Sequence, residues 1–117
     1  MSNLTTHVLD TSIGKPAVGM QIKLLKKTSS SFNLLKEVFT NKDGRVDGPL
    51  IKNNLDPIGL YEFNFYAGDY FLRQKIKLPD IKFLDIVVIR FGISNKTEHY
   101  HVPLLISPYG YSTYRGS

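Results

Sequence analysis

Two of the chain's three histidines lie two residues apart, at His99 and His101 in the stretch TEHYHVPLL (97–105). The alternating pattern is typical of a β-strand, in which side chains two apart share one face and their Cα atoms are about 7 Å apart. Two imidazoles on one face could bind a metal, exchange protons with a substrate, or be ordinary polar surface groups. The third histidine, His7, lies in a second strand-like stretch, THVLD (6–10).

Two kinds of reactive site are open to these histidines. If the first and last strands lie close together, His7, His99 and His101 could form a three-histidine zinc site with an open fourth position. The alternative is metal-free hydrolysis, in which a neutral imidazole takes a proton from attacking water and a guanidinium stabilises the negative charge on oxygen. Arg45 directly follows an Asp-Gly turn and is the candidate for that guanidinium.

Composition and charge exclude several classes of function. The chain has no cysteine, so disulfides, thiolate nucleophiles and Cys-bound zinc are excluded. Its net charge is +5, but the lysines are scattered, so we expect attraction of small anions and no nucleic-acid partner. The chain shows no signal-peptide pattern and no apolar run of membrane-spanning length. We therefore expect a cytoplasmic protein without a membrane partner, and disfavour periplasm and peroxisome.

The elements that would hold these side chains are mostly short strands. Stretches rich in β-branched and aromatic residues, separated by turn residues, predict seven or eight strands and one brief helix. This pattern favours an all-β sandwich, with 1–117 as a single domain. Between strands, 27–33 is predicted to be an exposed polar loop, and 41–45 to be a hairpin-type turn. In the stretch 60–66, alternation places Tyr61, Phe63 and Phe65 on the buried face.

Other segments carry predictions about helix bounds and strand pairing. Asp69–Ile76 is predicted to be the helix, with Asp69 as its N-cap. Phe83–Ile93 is predicted to pair with His99–Ser107 across the turn between them. Pro103 lacks an N–H donor, so it is predicted at an edge, at a bulge or where pairing is interrupted.

The last stretch, PYGYSTYRGS (108–117), is unusually aromatic for a terminus, since termini are commonly polar. One interpretation is a packed last strand with its tyrosines in the core. The other is that the final four residues line a site: Tyr114, Arg115, Gly116 and Ser117.

Long motifs in this chain resemble the transthyretin-like family. HVLDTSIGKPAVGMQI (7–22) is similar to its N-terminal signature, and YHVPLLISPYGYST (100–113) to its C-terminal one. The terminal YRGS (114–117) is similar to the tetrapeptide of the family's 5-hydroxyisourate hydrolase branch. The family also includes thyroid-hormone carriers, so the fold alone does not decide the function. The positions that follow the hydrolase pattern rather than the carrier pattern are His7, Arg45, His101 and Tyr114.

This resemblance implies a transthyretin-like sandwich of two four-stranded sheets with one short helix. It implies a homotetramer, built as a dimer of dimers, with sites at the dimer–dimer interface. The reaction would be the hydrolytic opening of 5-hydroxyisourate to 2-oxo-4-hydroxy-4-carboxy-5-ureidoimidazoline in urate breakdown, with no metal or cofactor. A non-catalytic carrier of small aromatic ligands and a three-histidine zinc hydrolase are the alternatives.

The resemblance also implies roles for individual residues. His7, Arg45 and His101 would be catalytic, and which of the two histidines takes the proton from water is left open. His7 and Arg45 would also bind the substrate, together with Tyr114 and Ser117. The supporting residues would be His99, Arg115 and Gly116.

Overall fold

Two four-stranded sheets share one cluster of buried apolar side chains in a computed structural model that describes residues 4–116. The elements are β1 (Leu4–Asp10), β2 (Lys15–Pro16), β3 (Gln21–Thr28), β4 (Ser31–Phe39), β5 (Gly59–Tyr66), α1 (Ala67–Arg73), β6 (Ile86–Ile93), β7 (Tyr100–Ser107) and β8 (Gly110–Thr113). The first sheet has the order β2-β1-β7-β8 and the second β4-β3-β5-β6. The predicted sandwich of two four-stranded sheets with one short helix is confirmed. No helix among the described residues is long and apolar enough to cross a membrane.

The aromatic residues of β5 form the centre of the core. Tyr61, Phe63 and Phe65 are each 0% exposed, as the alternation in this strand predicts. From the neighbouring strand, the ring of Phe91 stacks on Tyr61 and on Phe63, at centroid distances of 5.6 and 5.2 Å. Burial of each such side chain contributes about 1.5–3 kcal/mol, so this strand is a main source of the sandwich's stability.

The helix α1 begins two residues before the predicted start. Its N-cap position is Tyr66, without a side-chain cap, and Asp69 lies in the first turn, so the prediction of Asp69 as N-cap is wrong. Close packing decides the start instead, because the N–H of Gly68 donates to the carbonyl of Asp85 at 2.8 Å. From this helix, the buried Tyr70 hydroxyl donates to Asp10 at 2.8 Å, which joins α1 to the end of β1.

The predicted pairing of β6 with β7 is wrong. β6 pairs with β5, whereas β7 belongs to the other sheet, where it runs parallel to β1. The segment between β6 and β7 therefore crosses from one sheet to the other. The hydroxyl of Tyr100 accepts backbone N–H bonds from Ser94 at 3.1 Å and Asn95 at 3.0 Å. These bonds hold the segment where it passes between the sheets. Because β6 and β7 lie in different sheets, the segment is not a hairpin turn.

Pro103 is buried in an inner strand, so it lies at no sheet edge. The ladder between β7 and β8 ends at the pair Leu104↔Thr113 and does not include Pro103. On this side pairing is interrupted at Pro103, which is one of the three predicted settings, whereas the ladder with β1 continues through the pair His7↔Pro103. The Thr113 hydroxyl donates to the carbonyl of Pro103 at 2.7 Å.

The segment 27–33 is a tight connection, whereas an exposed polar loop was predicted. β3 continues to Thr28 and β4 already begins at Ser31, so the turn consists of Ser29 and Ser30. Ser29 takes a positive φ of 58°, the left-handed conformation that such a tight turn requires. Lys27 pairs with Phe32 in the antiparallel ladder. The polar composition did not predict this pairing, because composition carries no information about backbone hydrogen bonds.

Candidate active site

The parallel strands β1 and β7 bring the histidines to the outer face of the first sheet. Their register pairs Thr5 with His101 and His7 with Pro103. Because residues two apart on a strand share a face, Thr5, His7 and His101 lie together on the side away from the core. His7 and His101 are diagonal neighbours, for which Cα atoms are about 7–8 Å apart. Both side chains are half-buried.

The turn at 41–45 places Arg45 beside His7. The side-chain oxygen of Asn41 accepts the backbone N–H of Asp43 at 2.9 Å and of Arg45 at 3.1 Å. The predicted hairpin-type turn forms, since the N–H of Gly44 donates to the carbonyl of Asn41 at 2.9 Å and the N–H of Asn41 donates to the carbonyl of Arg45 at 2.7 Å. After the turn, Arg45 makes a β-bridge with His7 of the first sheet. This bridge places the exposed Arg45 side chain beside the histidines.

Gly44 allows that turn to lie directly against β1. Its φ is 75°, and a Cβ at this position would lie 2.4 Å from the carbonyl oxygen of Val8. The N–H of Val8 donates to the carbonyl of Gly44 at 2.8 Å. A glycine is therefore required both by the backbone conformation and by the close approach.

The ring of His7 is oriented by the same turn. Its Nε2 lies 2.8 Å from the backbone carbonyl oxygen of Asp43. A carbonyl can only accept a hydrogen bond, so Nε2 of His7 carries a proton. Nδ1 is consequently the ring nitrogen of His7 that a water or substrate can use.

Thr5 connects the other two histidines. Its Oγ1 is 2.7 Å from Nδ1 of His101 and 3.0 Å from Nε2 of His99. The remaining nitrogens, Nε2 of His101 and Nδ1 of His99, make no hydrogen bond with residues 4–116. Thr5 was not among the predicted site residues. The signal that could have found it is its position two residues before His7 on the same strand.

Burial and neighbouring positive groups lower the pKa of His101. Desolvation is the largest cause, followed by the charges of Arg45, His7 and His99. All four side chains therefore belong to one electrostatic cluster. A lowered pKa keeps the His101 imidazole neutral at neutral pH, which is the form that accepts a proton.

The end of the chain returns to this cluster. The N–H of Gly116 donates to the carbonyl of His101 at 2.7 Å. The guanidinium of Arg115 donates to Glu98 and to the carbonyl of His99, both at 3.2 Å, and lies 4.1 Å from the ring centroid of Tyr100. Gly116 and Arg115 thus support the start of β7.

The tail forms a last strand, β8, as one interpretation predicted, but the prediction that its tyrosines lie in the core is wrong. Tyr109, Tyr111 and Tyr114 are 61, 48 and 60% exposed. Tyr114 lines a cavity of about 240 Å³ together with Ile89 and Phe91, and it makes no hydrogen bond or ring contact with the described histidines. Its role in substrate binding stays a prediction. Ser117 lies outside the described residues.

A three-histidine metal site does not form. Within residues 4–116, no group of three His, Asp or Glu side chains could hold a metal ion. Two contacts account for this: the Thr5 hydroxyl lies between nitrogens of His99 and His101, and Nε2 of His7 is bound to a backbone carbonyl. The three histidines and Arg45 therefore form a cluster of imidazoles with an adjacent guanidinium.

The sandwich and this cluster together define a transthyretin-like protein with histidines and an arginine on its outer sheet face. The sequence model of the HIUase/Transthyretin family matches residues 4–116, and the chain belongs to this family. "5-hydroxyisourate hydrolase 2" of Rhizobium meliloti (strain 1021) is 56% identical to it, over 97% of this chain and 95% of that protein.

Solved structures show the same similarity. The 5-hydroxyisourate hydrolase of Klebsiella pneumoniae has a TM-score of 0.80 and 34% identity, covering 100% of both chains. (S)-allantoin synthase has a TM-score of 0.92 and 44% identity over 99% of this chain. This chain spans 44% of the length of that synthase. The fold is thus shared with a hydrolase of the same size and with part of a larger protein.

Proposed function

We propose that this protein hydrolyses 5-hydroxyisourate to 2-oxo-4-hydroxy-4-carboxy-5-ureidoimidazoline, a step of urate breakdown. The observation that carries the proposal is the cluster of His7, Arg45 and His101 on one sheet face, in which the pKa of His101 is lowered by desolvation and then by nearby positive charge. Relatives named 5-hydroxyisourate hydrolase, of similar length and up to 57% identical, support the choice of substrate.

In the proposed reaction, His101 is the general base. Nε2 of neutral His101 takes a proton from a water molecule, whose oxygen forms a bond to the ring carbonyl carbon. The carbon–nitrogen bond of the ring then breaks, the ring nitrogen takes the proton held on Nε2 of His101, and the new carboxyl group releases its proton to solvent as the carboxylate forms. No external oxidant or reductant is needed, because the net change is the addition of one water.

Arg45 and His7 have complementary roles. The Arg45 guanidinium binds the anionic substrate and stabilises the charge that develops on the carbonyl oxygen. His7, whose Nε2–H is held by the carbonyl of Asp43, uses the lone pair of Nδ1 to accept a hydrogen bond from the water and so orient it. The net positive charge of +5 favours capture of an anion.

We further propose that the protein is a homotetramer with its sites at the dimer–dimer interface, where Tyr114 and Ser117 bind the substrate. Support comes from β6 and β8, which are the last strands of their sheets. Unpaired edge strands with apolar side chains are favourable surfaces for association. Val88 on β6 is 47% exposed and Tyr111 on β8 is 48% exposed. Light scattering should give four times the 13.3 kDa mass of one chain.

Turnover of freshly generated 5-hydroxyisourate tests the proposed activity. Substrate is produced from urate and mixed with a hundredfold smaller amount of protein, and its ultraviolet absorbance is followed with and without prior chelation of metals. We expect complete decay, faster than the spontaneous reaction, in both samples. Retention of about one ligand per subunit without turnover would instead indicate a carrier.

The cytoplasmic location stays a prediction, which cell fractionation would test.

A further inference from the structure

The Thr5 hydroxyl is shared by two imidazoles. Oγ1 is within hydrogen-bond distance of Nδ1 of His101, at 2.7 Å, and of Nε2 of His99, at 3.0 Å. A hydroxyl has one proton to donate and two lone pairs that accept. The two rings therefore cannot both receive a proton from Thr5, so at least one of them donates its own N–H to Oγ1.

We propose that Thr5 and His99 are positioning residues that hold His101 in the tautomer required of a general base; this inference rests on the proposed hydrolysis. Nδ1–H of His101 donates to Oγ1 of Thr5, and the hydroxyl of Thr5 donates to Nε2 of His99. Nε2 of His101 then carries a lone pair. His99, whose function the sequence left undecided, acts through Thr5 and makes no contact with the substrate.

The opposite direction of hydrogen bonding would leave His101 unable to act as a base. If Thr5 donated to Nδ1, the neutral ring would carry its proton on Nε2 and present no lone pair to water. A flip of the ring would exchange Nδ1 with Cδ2 and break the bond to Thr5. Gly116 packs against that Cδ2 edge, so the ring is held on both sides.

The hydrogen bond from Nδ1–H of His101 to Thr5 becomes stronger during the reaction. When Nε2 accepts a proton, His101 becomes an imidazolium, and its Nδ1–H bond to Thr5 becomes charge-assisted. An interaction that is stronger in the transition state than in the ground state raises kcat more than it changes KM. The effect of removing the Thr5 hydroxyl should therefore fall on kcat.

Nitrogen NMR tests the tautomers independently of activity. Long-range ¹H–¹⁵N correlation spectra distinguish a protonated ring nitrogen from one with a lone pair, and three histidines are few enough to assign with single variants. At about pH 8, where imidazoles are neutral, we expect the His101 proton on Nδ1 and an unprotonated Nε2 in His99. A wild-type His101 with its proton on Nε2, or a neutral His99 with its proton on Nε2, overturns the proposal.

Variants at Thr5 connect the tautomer to the rate. Thr5→Val keeps the side-chain shape, and we expect more Nε2–H tautomer in His101 and a kcat about tenfold lower with little change in KM. Thr5→Ser should restore both. The matched control is Thr28→Val, which removes a threonine hydroxyl from the second sheet and should change neither.

The two proposals fail in different ways. If the wild type does not accelerate ring opening, the proposed function is wrong, while the nitrogen spectra still decide the hydrogen-bond direction. If the wild type is active but Thr5→Val matches it in kcat and in the His101 spectrum, the positioning role of Thr5 is wrong and the hydrolytic function stands.

Discussion

Gly116 lies so close to the ring of His101 that a Cβ at position 116 would be 2.8 Å from Cδ2 and 3.2 Å from Cβ of that histidine. The contact is reinforced by the backbone hydrogen bond between the same two residues. The end of the chain therefore helps to fix the imidazole that we propose as the general base. A glycine is needed because any side chain would displace either the tail or the ring.

Gly116→Ala should lower activity with little effect on stability. The new methyl group pushes the His101 ring or the tail away, and small displacements of a catalytic group cost about 100-fold in rate. Gly110→Ala is the control, because its Cβ would meet only the Ser107 hydroxyl, at 3.8 Å. Initial rates and melting temperatures of both variants measure the effect. Equal rates for Gly116→Ala and the wild type would show that the tail does not position His101.

The pH dependence of the wild type should reflect the lowered pKa of His101. A general base works in its neutral form, so activity rises with pH through its pKa. Because burial, followed by the charges of Arg45, His7 and His99, lowers this pKa, the half-maximal point of kcat/KM should lie below about 6.5, the ordinary value for histidine. A half-maximal point above that value would argue against His101 as the base.

Arg45→Gln should weaken both substrate binding and the stabilisation of the oxyanion. Loss of one such donor costs about 100-fold or more in rate, and loss of its positive charge should raise KM for an anionic substrate. Arg73→Gln serves as the control, since Arg73 lies in the last turn of α1, where its guanidinium donates to the carbonyl of Gly19. Steady-state kinetics of the two variants should differ strongly. If both variants had similar kinetics, Arg45 would have no role in substrate binding or in stabilising the oxyanion.

Tyr70→Phe should destabilise the fold without direct effect on the chemistry. The Tyr70 hydroxyl is buried and donates to the buried carboxylate of Asp10 at 2.8 Å. Loss of a hydrogen bond to a buried charged group costs about 1.5–3 kcal/mol. Urea unfolding should show this decrease, whereas Tyr111→Phe, at a residue 48% exposed, should change little. An unchanged unfolding free energy for Tyr70→Phe would mean that Asp10 finds another donor.

Features that depend on residues close together in the sequence could be predicted from local patterns. The alternation around Phe63 identified the buried face of β5, and the family motifs indicated His7, Arg45 and His101 before any contact was known. The helix start was missed because burial of Gly68 against Asp85 outweighs the capping preference of Asp69. Capping contributes about 1 kcal/mol, which tertiary packing can exceed.

Features that depend on distant contacts could not be predicted in the same way. The pairing of β7 with β1 joins Thr5 to His101, residues at opposite ends of the chain. A parallel pair needs a long crossover, and sequence spacing does not specify its register. The Thr5 bridge to His99 and His101 follows from that arrangement. The turn that binds His7 depends on a second distant contact, in which the N–H of Val8 donates to the carbonyl of Gly44.

The decay rate of 5-hydroxyisourate with the wild type and with His101→Asn shows whether the protein is a hydrolase with His101 as its general base. Both proteins are used at the same concentration near pH 7, and the spontaneous rate is subtracted. We expect clear acceleration by the wild type and a rate about 100-fold to 10,000-fold lower for the variant, the usual contribution of a general base. Equal acceleration by both proteins, or none by the wild type, would contradict this expectation.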